Sequence, residues 1–162
     1  LSLLRLLIRA LFARPRRGPR GRPRRAGASN SPPKITRTIQ GRCTVIDGDT
    51  VIIQGTRLRL FGIDAPELDH PYGQKSKWAV IRMCQDQVVT AELHESVSYD
   101  RKVARCVLPD GRDIGAELVR MGLALDWPKF SGGRYGHLEP AGIRRKLWRA
   151  DARQKGRMPQ AR

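Results

Sequence analysis

From about Thr38 onward apolar residues alternate with polar ones, and a strand period rather than a helical one governs the first part of the chain. Residues 42–47 and 51–54 flank a turn containing Gly48, and residues 57–63 follow a second turn at Gln54-Gly55-Thr56, which predicts three consecutive antiparallel strands. In the third of these, Leu58 and Leu60 fall on one face and Arg57, Arg59 and Phe61 on the other. Pro66 closes the run, because proline cannot donate to a ladder and restricts the residue before it.

Beyond a polar loop the period lengthens. Residues 74–84 predict a helix with Trp78, Ile81 and either Ala79 or Cys84 turned inward. Residues 87–94 and 103–108 predict two more strands, paired through 95–102. Pro109-Asp110-Gly111 is a turn, Asp113 caps a helix running to Met121 with Ile114, Leu118 and Met121 inward, and Gly122 stops it. A loop with Trp127, Phe130, Gly132, Gly133 and Tyr135 leads into a last basic helix, 139–152. There Leu147 and Trp148, like Trp78 earlier, are expected in packing, and Arg144, Arg145, Lys146, Arg149 and Arg153 on a solvated face. Five strands with about three short helices make an α+β, mainly β fold and suit a small closed Greek-key barrel of the OB type, although strand spacing alone fits an SH3-like barrel or an open α+β sandwich equally.

Charge divides the chain further. There are 32 Lys and Arg against 15 Asp and Glu, a net charge of +17, which favours a polyanionic partner: nucleic acid or an anionic membrane surface. Twelve basic residues precede the first acidic one, Asp47, so the excess is concentrated in front of the strands. Residues 1–12 are leucine-rich with Arg5 and Arg9 on one helical face; too short and interrupted to span a bilayer, they read as a signal remnant, a basic amphipathic anchor or a targeting peptide. Residues 13–33 have the Arg, Pro, Gly and Ser composition of a disordered basic linker. The expected organisation is therefore an N-terminal segment and linker (1–37), one folded domain (38–152) and a disordered basic tail (153–162).

Cys43, Cys84 and Cys106 lack any C-x-x-C spacing, which argues against zinc and leaves two readings open, one disulfide with a thiol left over or three free thiols. His70, His94 and His137 share no ligand spacing. The chemistry gathers instead between Asp47 and Glu67, where four carboxylates and two arginines surround a turn and a pair of strands. Asp47-Gly48-Asp49 alone is a common hairpin turn, and it does not open an EF-hand, since the twelfth position from Asp47 is Leu58 where a Glu is needed. The ordered set Asp49, Arg59, Asp64, Glu67 and Arg101 says more: oxygen ligands suit a hard cation, and forked guanidinium groups suit phosphate.

Residues 42–148 resemble the staphylococcal nuclease-like (thermonuclease) family of OB-fold phosphodiesterases. The likeness rests on Val45-Ile46-Asp47-Gly48-Asp49-Thr50-Val51, on Arg59 followed by Ile63-Asp64-Ala65-Pro66-Glu67, on Tyr99-Asp100-Arg101 leading into Val103-Ala104-Arg105, and on Asp110-Gly111 through Leu118-Val119-Arg120-Met121-Gly122-Leu123-Ala124. The resemblance implies that Asp49 and Asp64 hold a single Ca²⁺ with the main-chain carbonyl of Ala65, where a Thr is familiar but the side chain is not the ligand. It implies that Glu67 is the general base toward water, that Arg59 and Arg101 grip the phosphate, that Asp47 shapes the metal pocket from behind, and that Tyr99, Trp127 and Phe130 lie near the bound nucleotide. One departure stands out: Asp100 occupies a position where the family commonly has Gly, and a carboxylate there can draw Arg101 from phosphate, so Asp100→Gly is expected to raise turnover.

The function so implied is Ca²⁺-dependent hydrolysis of DNA and RNA by a monomer, single strands preferred, with a catalytically silent nucleic-acid-binding module as the rival from another class. A secreted or membrane-associated address fits a calcium enzyme, and a cytoplasmic one is also compatible.

Overall fold

A computed structural model of the chain describes residues 34–95 and 102–157. The expectations placed on residues 1–33, on Tyr99, Asp100 and Arg101, and on residues 158–162 lie outside that range. In order, the elements are β1 (Ile35–Gly41), β2 (Cys43–Val45), β3 (Thr50–Ile53), β4 (Thr56–Leu60), β5 (Ile63–Asp64), α1 (Gly73–Cys84), β6 (Val89–His94), β7 (Lys102–Val107), α2 (Ile114–Arg120), β8 (Leu125–Asp126), α3 (Pro128–Ser131), a 3-10 turn (Gly136–Leu138), α4 (Ile143–Lys146) and α5 (Trp148–Gln154).

Six strands form one sheet in the order β1-β6-β7-β4-β3-β2, antiparallel throughout except for the parallel pair β4 and β7. Its two edge strands, β1 and β2, are separated in the chain by Arg42 alone. One residue spans about 7 Å between its neighbours' Cα atoms, so the sheet has to curl until its edges approach one another. The expected strands 42–47, 51–54, 57–63, 87–94 and 103–108 return as β2, β3, β4, β6 and β7, while β1, which leads directly into β2, was not expected as a strand. β1 begins at Ile35, three residues before the expected start of the domain and seven before the first expected strand, and its exposed residues are held by pairing with β6, from Ile35 opposite His94 to Gly41 opposite Val89. A second, two-stranded ladder, β5 with β8, was not expected.

The β3–β4 hairpin turns at Gln54 (φ 49°) and Gly55 (φ 71°), two left-handed residues whose twist matches that of the strands. Inside the curl pack Val51, Ile53, Leu58, Leu60, Val89, Ala91, Ala104 and Cys106, covered by α1 and α2. The face that α1 buries is Gly73, Ser76, Ala79, Val80 and Cys84, not the one with Trp78 and Ile81; Trp78 is 55% exposed. Small residues win because the backbone at Gly48 comes so close that a Cβ there would overlap the Ser76 side chain and lie 2.8 Å from the Ala65 Cβ. In α2, Asp113 caps the helix as expected and Ile114 and Leu118 are buried, but Val119 takes the place expected for Met121, which lies exposed after the last turn.

The expected long C-terminal helix is two short ones, broken at Leu147 (ψ 44°), which is fully buried with Leu125, Ile143 and Ala150 in a second apolar cluster. Trp148 falls outside that cluster, 54% exposed. α5 runs to Gln154, so residues 153–157, expected in a disordered tail, include a helical turn and a buried Arg153. The three cysteines are free thiols, and burial pushes the Cys106 thiol up to about 12. Among the described residues no helix is long and apolar enough to cross a membrane.

Candidate active site

The turn between β2 and β3 is tied by its own backbone: Ile46 N and Asp47 N both donate to Thr50 O, and the Asp47 side chain accepts from Asp49 N at 3.0 Å. Asp47 therefore shapes the loop that presents Asp49. Across the hairpin Thr50 pairs with Arg59, which places the neighbouring Asp49 against the Arg59 guanidinium: Nη2 lies 2.7 Å from Asp49 Oδ2 and 3.7 Å from Asp64 Oδ1. Asp64 arrives from β5, fixed by the pairing of Asp64 with Leu125. Pro66 ends that short strand, and Glu67 projects from the following loop with its side chain half exposed.

Four of the expected residues, Asp49, Arg59, Asp64 and Glu67, are thus brought to one locality, linked through their ion pairs. Trp127, whose main-chain N–H donates to Gly62 O, brings its ring within 6.0 Å of the Arg59 guanidinium carbon, and Phe130 meets Trp127 edge-on with centroids 4.8 Å apart. Trp127 is buried and Phe130 is 51% exposed, so of the two it is Phe130 that offers a free face.

The residue that sequence reasoning missed is Arg153. Expected on a solvated face, its side chain is only 9% exposed and enters the site from α5. Nη2 donates to Asp64 Oδ1 at 2.8 Å and to the Ala65 carbonyl at 2.9 Å, while Nη1 donates to Glu67 Oε1. Leu147, Ala150 and Arg153 follow one another at helical spacing on the buried face of the last helices, and that is the signal that could have found it.

A family model described as staphylococcal nuclease homologue matches residues 57–141, more than half of the chain. The chain belongs to that family. An Escherichia coli O157:H7 protein named "Uncharacterized endonuclease" is 30% identical over 104 residues, 61% of this chain and 68% of that protein. The succinoglycan biosynthesis protein ExoI of Rhizobium meliloti is 32% identical over 108 residues, and the probable endonuclease LCL3 of Phaeosphaeria nodorum 28% over 127. The chain covers 60% of itself against 56% of ExoI, and 72% against 43% of LCL3, so it spans about half the length of these two relatives. Within the stretch matched by the nuclease-homologue model fall Arg59, Asp64, Ala65, Glu67, Trp127 and Phe130; Asp47, Asp49 and Arg153 lie outside it.

Electrostatically this nuclease-homologue site is under load. Burial pushes Asp49 up to about 6, Asp47 and Asp64 add to the rise, and Arg59 with the Thr50 hydroxyl offsets only part of it. Burial likewise raises Asp64 against the opposing pull of Arg153 and Arg59. Asp64 Oδ2 is buried with no hydrogen bond, an acceptor left over beside a crowded Oδ1. Two stressed carboxylates, one of them with an unused oxygen, and a main-chain carbonyl fit a hard cation that keeps part of its water shell. Among the described residues no three His, Cys, Asp or Glu side chains converge to cage a metal, so the fit is to this open, oxygen-only set.

Proposed function

We propose that the chain is a nuclease that hydrolyses phosphodiester bonds of DNA and RNA with the help of Ca²⁺. What carries the reading is the position of Arg59 between Asp49 and Asp64, with Glu67 reached from the same cluster, in a member of this family. Asp49, Asp64 and the Ala65 carbonyl are the residues to hold the ion, whose charge polarises a phosphoryl oxygen when bound.

The chain's own side chains do the rest. Arg59 gives a forked set of donors to the phosphate oxygens and, with Arg101, balances the charge that grows as phosphorus takes a fifth ligand. Glu67, half exposed at the mouth of the site, takes the proton of the attacking water. Trp127 stiffens Arg59 from behind, and Phe130 stacks on a base, which suits single strands over intact duplex and asks for no particular sequence.

The deciding experiment is cleavage of fluorescent single-stranded DNA and RNA by the purified chain in Ca²⁺ or EDTA, beside Glu67→Ser and Arg101→Ala. Calcium-dependent cleavage that both variants lose supports the reading. Tight binding without cleavage under any divalent ion overturns it in favour of a binding module.

A further inference from the structure

The Arg153 fork grips three oxygens from one short segment: Asp64 Oδ1, the Ala65 carbonyl and Glu67 Oε1. Two of these belong to the set assigned above to the ion. A guanidinium so deeply buried is held only because its partners are carboxylates and a carbonyl, and those partners in turn are held together by it. With Arg59 also 3.7 Å from the same Asp64 oxygen, Oδ1 carries two cationic neighbours while Oδ2 has no hydrogen bond.

We propose that Arg153 is the site's resident cation: it neutralises and spaces the oxygen ligands of the metal-free protein, and a divalent ion binds by displacing it. The inference rests on reading Asp49, Asp64 and Ala65 as ion ligands, and it does not depend on whether the site cleaves nucleic acid. A divalent ion and a guanidinium on one carboxylate repel each other strongly in a buried setting, and the Ala65 carbonyl is already spoken for by Nη2. Entry of the ion therefore requires Arg153 to let go. That release costs α5 part of its attachment, leaving it held by Leu147 and Ala150 in the small apolar cluster, by Asp151 and Gln154 on Arg144, and by the exposed pair of Arg149 with Asp69. Calcium affinity is weakened by this competition, and the C-terminal helix is loosened when the ion binds.

The test compares the full chain with Arg153→Gln, both stripped with EDTA and dialysed, by calorimetric titration with CaCl₂ and by thermal melting. Competition makes opposite signs: Arg153→Gln melts lower than wild type without metal, yet binds Ca²⁺ at least tenfold tighter and gains more in Tm when saturated. A residue that merely braces the fold would lower the melting point and weaken calcium binding too, and equal or weaker binding by the variant overturns the proposal. Wild-type protein supplies an independent readout: saturating Ca²⁺ is expected to speed amide exchange across residues 148–154, and unchanged or slower exchange there contradicts displacement. Absence of any calcium heat in both proteins also overturns it. The nuclease reading is decided separately, because cleavage of an oligonucleotide in another divalent metal would uphold that reading while this one fell.

Discussion

Arg59 Nη2 lies 2.7 Å from Asp49 Oδ2, so the group assigned to phosphate and a carboxylate assigned to the cation are in contact before either ligand arrives. Neighbouring β-ladder positions make this contact: Thr50 faces Arg59, and Asp49 is one residue away. Such a pair keeps the guanidinium beside the ion site in the metal-free protein, so that once the ion takes the carboxylate it has only a short way to turn to phosphate. Arg59→Ala is accordingly expected to lower kcat/KM for cleavage by about 100-fold or more. Arg59→Lys, which keeps the charge and loses the fork, should recover only part of it. Steady-state rates on a fluorescent oligonucleotide check this, and an Arg59→Ala enzyme within threefold of wild type would remove Arg59 from the chemistry.

Asp49 gives a prediction with a definite pH sign. Its carboxyl in the folded protein is raised to about 6 from an ordinary 3.8, so the native state holds the proton more tightly than the unfolded chain. That group's favourable share of stability is present below about pH 4 and is lost as pH rises through about 6. Asp49→Asn removes the burden of the buried charge. In EDTA the variant should melt higher than wild type at pH 7.5, with the difference gone at pH 4. A difference of the same size at both pH values would show that the burial cost of Asp49 has been misjudged.

The contrast between Leu58 and Arg153 shows what was legible in the sequence. Period-two alternation puts Leu58 and Leu60 inward and Arg59 outward without knowledge of any partner, and the structure has them so. Asp113 as a helix cap and Gly122 as a stop are equally local signals. Arg153 is placed by something no local signal contains, the docking of α5 against the 64–67 segment far back in the chain. The same holds for the β5–β8 ladder, whose strands of two residues are too short to show a period, and for β1, whose residues are mostly exposed and ordered by β6. Trp78 misled because a large apolar residue looks like core, whereas the close approach at Gly48 admits only a small-residue face of α1.

Asp113 joins three elements away from the proposed chemistry. One carboxylate oxygen accepts from Gly115 N at 2.9 Å and Ala116 N at 3.3 Å, and the other accepts from Arg105 Nε at 2.9 Å and the Tyr135 hydroxyl at 3.0 Å. Asp113→Ala removes a helix cap and leaves the buried Tyr135 hydroxyl and the half-buried Arg105 Nε without their acceptor, a loss of about 2–4 kcal/mol. Urea unfolding should show this with or without Ca²⁺. A penalty that disappears on adding calcium would instead tie Asp113 to the ion site.

Gly73, at the start of α1, sits under the loop that carries Glu67. A Cβ there would overlap the Glu67 carbonyl oxygen and lie 2.8 Å from the Leu68 Cα, both backbone atoms that cannot rotate away. Gly73→Ala should therefore shift the 67–70 loop, which is otherwise pinned by His70 N donating to Glu67 O and Gly73 N to His70 O. The expected result is a kcat at least tenfold lower with KM within about twofold, since Arg59 and Phe130 stand on other elements. Unchanged kcat would mean that the position of Glu67 is not critical.

Phe130 offers a test that separates substrate binding from chemistry. Its ring is half exposed, backed by Trp127 at 4.8 Å and flanked by Lys129, whose ammonium lies 5.3 Å from the ring centroid. A base stacked on the free face gains about 1–3 kcal/mol, and the lysine beside the ring adds attraction for the adjoining phosphate. Because Phe130 contributes no polar group to the ion or to Arg59, Phe130→Ala should raise KM for single-stranded DNA and RNA about five- to a hundredfold while leaving kcat and Tm close to wild type. Phe130→Trp, with a larger stacking face, should keep KM low. If Phe130→Ala depressed kcat and left KM alone, the ring would belong to the geometry of Arg59, through Trp127, and the base would have to stack elsewhere.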